Sequence, residues 1–328
     1  MNKSRLVQLA GPYGLYGLAR HWTRDHPRVL MYHRFSREPR QGFTSSGAFE
    51  SQVRHIANHY HPTTLGTLVQ HLRTLTRPPP NSIVITVDDG YDDFHDIAFP
   101  ILRKYGVPAT FFVTTGFVDQ ELWLWPDQVG WLLSTGEPSV DVIELHQHRI
   151  PRDQNAWERV INLLLCQADT DKHLAIQSMA QQLGVRLPSH APGGFRSCTW
   201  EQLRDMQAAG IEIGGHTHTH PSLTRVSEDA LRLELTHCLA RLTEELGPAP
   251  RPFCYPNGGV DDYSTDVRAA VESAGFTGAV LAYADHLAHD DVYALKRHSS
   301  GDCMFQFMKA SSGLEWLGRR LEARRSAT

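Results

Sequence analysis

The feature that most constrains this chain is its rhythm. Short β-rich apolar runs alternate with amphipathic helical stretches along most of its 328 residues. RVLMYH (28–33) reads as a strand, and SGAFESQVRHIANHY (46–60) as a helix with Phe49, Val53 and Ile56 on one face. SIVITV (82–87), bounded by Pro78–Pro80 and Gly90, has the continuous apolar pattern of a strand buried on both faces. The helix DIAFPILRKYG stops at Gly106, and the strand PATFFV (108–113) follows. TWEQLRDMQAAG opens on a capping box of Thr199 and Gln202. IEIGG (211–215) is a strand, and Ser227 to Gly247 bound a long amphipathic helix. FCYP, a helix near 264–274 and FTGAVLAY (276–283) continue the alternation.

Repeated strand–helix units predict a parallel sheet with helices outside. The closed form is a β/α barrel, whose catalytic residues stand at the C-terminal ends of strands. The stretch from about Gly116 to Gly194 breaks the rhythm, with LWLWPDQVGWLL, a helix around 156–181 and the loop LPSHAPGG. It reads as an insertion at about 117–194, a lid or groove wall, whose Trp123, Trp125 and Trp131 are either core or platforms for sugar rings. The expected layout is an extension over 1–27, a barrel over 28–310 and a basic tail over 311–328, whose LEWLGRRLEARR reads as a basic amphipathic helix or a solvated end-cap.

Charge and cysteine usage narrow the function classes. The 32 basic and 36 acidic side chains give a formal charge of -4, with no footprint for nucleic acid. Five cysteines, an odd number without a CxxC, argue against a disulfide framework and for a reducing compartment. No run reaches the roughly 18 apolar residues of a membrane span. Lys3 and Arg5 precede a mildly apolar run that lacks a strong secretory core. The expected localisation is cytoplasmic, with a membrane-surface segment or export as the alternatives.

Two constellations carry chemistry. ITVDDGYDDF places Asp88 and Asp89 just past the buried strand, on opposite sides of the chain, so one can ligate a metal while the other stays free as a base. Asp pairs also occur at 92–93, 261–262 and 290–291, and a plain polar turn is the bland alternative. GGHTHTHP places His216 and His220 four apart after another strand, where one helical turn brings both imidazoles to one face. His55 and His59 share that spacing inside an ordinary helix and read as a solvated face. In a parallel sheet His216 and His220 emerge on the rim that carries Asp89, completing a two-histidine, one-carboxylate site.

These motifs resemble those of the polysaccharide deacetylases, the NodB-homology or carbohydrate esterase family 4 domain. VDDG is similar to the family's TFDDG, HTHTH to its H-[S/T]-x-x-H, and RPFCYPNG (251–258) to the F-x-Y-P-x-G form of the branch acting on poly-N-acetylglucosamine-type polymers. VLMYHRF and PATFFV resemble two of its strands, so the similarity runs from about 28 to about 300. The resemblance implies a distorted (β/α)7-type barrel with a helical insertion. It also implies a metal-dependent hydrolase that removes N-acetyl groups from a sugar or polysaccharide. Asp89, His216 and His220 match the metal ligands, with Zn²⁺ the expected ion, and Asp88 matches the base. Thr217 matches the hydroxyl that braces the histidine loop, and Tyr255 the residue whose backbone N–H holds the oxyanion. The family's last motif, Leu-x-His, here reads LKRH, with Arg297 at the histidine position and His298 one residue later. A one-residue slip reverses the face, which speaks against His298. In the branch that VLMYH resembles the histidine comes from the N-terminal strand, so the resemblance implies His33 as the general acid. Arg297, or alternatively Arg251, is the expected partner of Asp88. An O-acetyl esterase, a small cyclic-amide deacylase and a non-catalytic carbohydrate-binding relic are the rival functions on the same residues.

Overall fold

The computed structural model describes residues 14–283 and 291–318. The N-terminal basic run and most of the expected basic C-terminal helix lie outside the described residues. Seven strands carry the architecture: β1 (Arg28–Tyr32), β2 (Ser82–Val87), β3 (Thr110–Val113), β4 (Glu212–Gly215), β5 (Phe253–Cys254), β6 (Ala279–Val280) and β7 (His298–Ser299). Their order across the sheet is β6-β5-β4-β3-β2-β1-β7, and every pairing among them is parallel. One segment closes the ring. Leu295 bridges to Val280 of β6, while His298 and Ser299 pair with Leu30 and Met31 of β1. A short eighth strand, His61–Thr63, pairs in parallel with residues 82–84 off this path. The result is the parallel β/α barrel expected from the alternation, with the seven-strand circuit that the resemblance implies.

Strand alternation supplies two buried faces. Leu30, Ile83, Ile85, Phe111 and Ile213 point out to Phe49, Val53 and Ile56 of helix Ser46–His59 and to Leu235 and Leu242 of helix Glu228–Leu246. Val29, Val84, Phe112, Cys254, Val280 and Leu295 form the opposite cluster, which Leu65, Leu68 and Val69 of helix Leu65–Arg73 fill. Each such side chain contributes about 1.5–3 kcal/mol by leaving water. The Thr199–Gln202 capping box forms, Ser227 caps its helix, and Gly106 ends helix Phe99–Tyr105 in the left-handed conformation. Before that helix, Phe94–Ala98 is a π-turn, with the Phe99 N–H reaching back to Phe94 next to Pro100, which has no N–H to give.

The insertion is not purely helical. It holds helix Trp125–Thr135, an antiparallel hairpin of Val142–Leu145 with His148–Pro151, and helices Ala156–Leu165 and Asp169–Gln182. Its own core contains Val129, Leu132, Ile143, Leu164, Ile176 and Met179. The single helix expected over 156–181 is therefore two. Ala168 is extended, and the acidic Asp169 and Asp171 start the second against the favourable end of its dipole. FTGAVLAY likewise shrinks to the two residues of β6.

Candidate active site

Parallel pairing brings all the strand exits to one rim. Asp88 continues the ladder, its N–H donating to the Tyr32 carbonyl at 3.1 Å. Asp89 then takes φ +81°, rare for a residue with a side chain. Gly90 follows at φ +103°, where a Cβ would sit 3.3 Å from that of Val113. The two neighbouring carboxylates thereby reach different partners.

Asp88 is buried beneath a guanidinium fork. Arg297 Nη1 donates to its Oδ1 at 2.7 Å and Nη2 to its Oδ2 at 2.8 Å, while Nε donates to the Leu281 carbonyl. Burial pushes the carboxyl up, but Arg297 outweighs it and holds Asp88 below the usual carboxylate range. Arg251 is not this partner. It lies at the entry end of β5 and donates to the carbonyls of Ile213 and Gly247. His298 faces away from Asp88, its Nδ1 3.3 Å from Glu315, as strand alternation after Arg297 requires. His33, at the exit of β1, has Nε2 3.6 Å from Asp88 Oδ2 and a side chain 45% exposed at the rim.

The HTHTH segment is a tight loop instead of a helical turn, with Thr217 and His220 at φ +66° and +63°. The Thr217 hydroxyl donates to the His216 carbonyl and accepts the His220 N–H at 3.0 Å, which braces the loop. The Nε2 atoms of His216 and His220 stand 3.2 Å apart, and Asp89 Oδ1 lies 3.4 and 3.5 Å from them. A tetrahedral ion held at about 2.0–2.1 Å spaces its ligand atoms about 3.3–3.4 Å apart, so this triangle has the size a divalent ion requires. The tautomer agrees. His216 Nδ1 is 2.7 Å from the Cys254 carbonyl, which can only accept, so Nδ1 carries a proton and Nε2 is the nitrogen that faces the triangle. Burial lowers the His216 pKa, but Cys254 and Asp89 outweigh it and hold the imidazole well above its ordinary value, so a metal at Nε2 would have to displace a proton. Burial disfavours the charged imidazole of His220 and lowers its pKa, which favours the ligating form there. Asp88, His216 and Cys254 also cluster, but Arg297 occupies both Asp88 oxygens and the Cys254 carbonyl occupies His216 Nδ1.

Several supports carry no signature in the sequence. Glu234, on helix Glu228–Leu246, accepts from the N–H groups of His218 and Thr219 at 2.9 and 2.8 Å and from the Thr219 hydroxyl. The Thr115 and Gly116 N–H groups donate to the carbonyls of Thr217 and His218, so close that a Cβ on Gly116 would meet the latter at 2.7 Å. The insertion delivers Asp127, which accepts from the Tyr91 hydroxyl at 2.6 Å and lies 3.9 Å from Arg34. The Arg34 guanidinium stacks 3.8 Å over Tyr91 and pairs with Asp93 at 2.6 Å.

Two expectations need correction, for Tyr255 and for the pair of His55 and His59, and the open alternative for the tryptophans is decided. The Tyr255 N–H donates to the Val280 carbonyl at 3.3 Å, because the β5–β6 ladder continues one residue past the strand, so it is not held free for an oxyanion. Its hydroxyl is buried against the Tyr293 carbonyl. Trp123 and Trp125 are core residues, one donating to the Pro188 carbonyl, the other packed in the insertion beneath buried Lys172, and Trp131 is partly buried beside Trp123. The decoy pair is also less solvated than expected. His59 is exposed, but His55 is half-buried against Tyr60 and Phe307.

Residues 76–279 match the family model described as Polysaccharide deacetylase. The chain belongs to that family. Among curated relatives, the poly-beta-1,6-N-acetyl-D-glucosamine N-deacetylase of Staphylococcus aureus is 34% identical over 88 residues, 26% of this chain and 30% of the relative. The match thus spans less than a third of that relative's length. The putative polysaccharide deacetylase YxkH of Bacillus subtilis is 33% identical over 91 residues, again 30% of its length. Among solved structures, the deacetylase PplD of Streptococcus pyogenes superposes with a TM-score of 0.58 at 17% identity, covering 84% of this chain and 93% of that one. IcaB from Ammonifex degensii gives 0.56 at 19% identity, covering 88% and 97%. At such identities these two show the fold.

Proposed function

We propose that this family member is a metal-dependent carbohydrate deacetylase that releases acetate from N-acetylated sugar residues of a poly-N-acetylglucosamine-type glycan. The observation that carries the proposal is the pairing of a ligand triangle of ionic size with a separate, arginine-clamped carboxylate on the same rim. The residues fit one divalent ion held by Asp89, His216 and His220, and the donor set suits Zn²⁺. When bound, such an ion supplies Lewis acidity towards the acetyl carbonyl and towards water.

The chain's own groups do the proton work. Asp88, kept ionised and fixed in orientation by Arg297, takes the proton of the attacking water. His33 stands at the exposed rim and, protonated, gives its proton to the departing nitrogen, without which an amide C–N bond breaks poorly. That need favours an amide over an ester as the substrate, since an ester's leaving oxygen asks far less of a general acid. Asp127, Tyr91 and Arg34 form the wall on the insertion's side. The test is mass spectrometry of acetyl loss across a panel of N-acetylated and O-acetylated glycans, with chelated and zinc-reconstituted enzyme. Loss of acetyl with appearance of free amine, only in the reconstituted arm, is expected. Loss from O-acetyl esters alone would overturn the amide assignment.

A further inference from the structure

The end of the barrel opposite the catalytic rim carries a feature the chemistry does not use. Helix Leu15–Trp22 leads into β1 and lies at the strands' entry end. It buries Tyr16 and Ala19, while Leu18 and Trp22, one turn apart, are 55% and 69% exposed, with half-buried Leu15 on the same stripe. Beside it is a recess of about 450 Å³ lined by Gly17, Arg20, His21, Asn58, His59 and Asn81, with cationic or protonatable groups and no carboxylate among its walls. On the same end Leu75 is 94% exposed, in the turn between Arg73 and Arg77.

The C-terminal part of the chain meets this helix. The Thr23 hydroxyl donates to the Ser312 carbonyl at 3.2 Å, and the His26 ring packs 4.4 Å from Trp316. The sequence flanking this junction is basic. Lys3, Arg5, Arg20 and Arg24 stand against Asp25 alone, and Arg319, Arg320, Arg324 and Arg325 against Glu322 alone, in a chain whose formal charge is -4. Among the described residues, Arg20, His21 and His59 line the recess and Arg24 is exposed just past the helix, so basic groups stand beside the exposed apolar side chains on a chain of net negative charge. No described helix is long and apolar enough to cross a membrane.

We propose that this face docks on an anionic lipid bilayer, with Leu18 and Trp22 entering the interface and Arg20, Arg24 and the recess meeting phosphate headgroups. Insertion of a few apolar side chains beside basic ones is the recognised physics of a peripheral, reversible membrane contact. The geometry has a functional consequence. Strand exits and strand entries are opposite ends of a parallel barrel, so a docked molecule points Asp88, Asp89 and His33 away from the lipid, towards glycan extending from the surface. The docking is independent of the deacetylase assignment.

Co-sedimentation of the full chain with vesicles of phosphatidylcholine alone, and with about 30% phosphatidylglycerol added, tests this. Binding to the anionic vesicles, absent on the neutral ones and weakened by salt, is expected. The double variant Leu18→Ser/Trp22→Ser should abolish it, and Arg20→Glu should weaken it about fivefold or more. All three proteins should release acetate equally from a soluble substrate and have the same circular dichroism. Equal sedimentation of the parent and the double variant, or no sedimentation of the parent, overturns the proposal. So does a parent dimer that the double variant dissociates, since the face would then belong to a second copy.

Discussion

Asp88 and Arg297 form the most consequential pair at the scale of single residues. Arg297 is fully buried and its fork spans both carboxylate oxygens, so removing either partner leaves an uncompensated charge. Arg297→Ala should therefore cost about 3–5 kcal/mol in a denaturant melt as well as activity. Arg297→Lys should fold better yet stay slow, because an ammonium cannot hold two oxygens at once. A fully active Arg297→Lys enzyme would show that the fork does not orient the base. His33 and His298 separate by chemistry. His33→Ala should lower amide hydrolysis about 10²–10⁴-fold, spare an activated acetyl ester and leave metal content unchanged. His298→Ala should do little to either substrate, and an amide-selective loss there instead would reverse the assignment. That His298 turns away from Asp88 was legible in the sequence from the one-residue slip in LKRH. The engagement of the Tyr255 amide was not, since motif spacing does not reveal where a strand's ladder ends.

At the scale of elements, the histidine loop is held from outside itself. Glu234 takes three donors from His218 and Thr219, and the Thr217 hydroxyl ties His216 to His220. Glu234→Ala should lower metal affinity about 10–100-fold, the usual cost of losing a support behind the ligands, measurable by competition with a chromophoric chelator. Unchanged affinity would mean that the loop holds itself. The four-residue histidine spacing was visible in the sequence, but its cause was misjudged, because left-handed φ at Thr217 and His220 replaces a helical turn. The insertion was legible as an interruption and not as a fold, since short apolar runs there suit a hairpin or a helix equally. Its Asp127 yields a pH prediction. Burial raises that carboxyl from 3.8 to about 6, so the folded chain holds a proton there that the unfolded chain releases between those values. Stability contributed at this site therefore rises as pH falls from about 6 towards 4. Asp127→Asn should be more stable than the parent by about 1–3 kcal/mol above pH 6, and the gap should close towards pH 4. A gap independent of pH would contradict the shift.

Across the whole molecule, the alternation of strands and helices was enough to predict a parallel barrel and the rim on which its chemistry collects. The closure was not legible, because β5, β6 and β7 have two residues each and too little pattern to count. Those short strands nonetheless decide the site. The segment that bridges Leu295 to β6 and His298 to β1 is what carries Arg297 inward to Asp88, and β5 supplies the carbonyl that orients His216. The central claim is that one carboxylate of the Asp88–Asp89 pair works as a base and the other as a ligand. Elemental analysis of purified Asp88→Asn and Asp89→Asn, each paired with acetate release from an N-acetylated glycan, tests it most directly. Asp88→Asn should retain one divalent ion per chain and be inactive, while Asp89→Asn should lose both ion and activity. An active Asp88→Asn enzyme, or an Asp89→Asn protein that keeps its full ion content, would contradict the account.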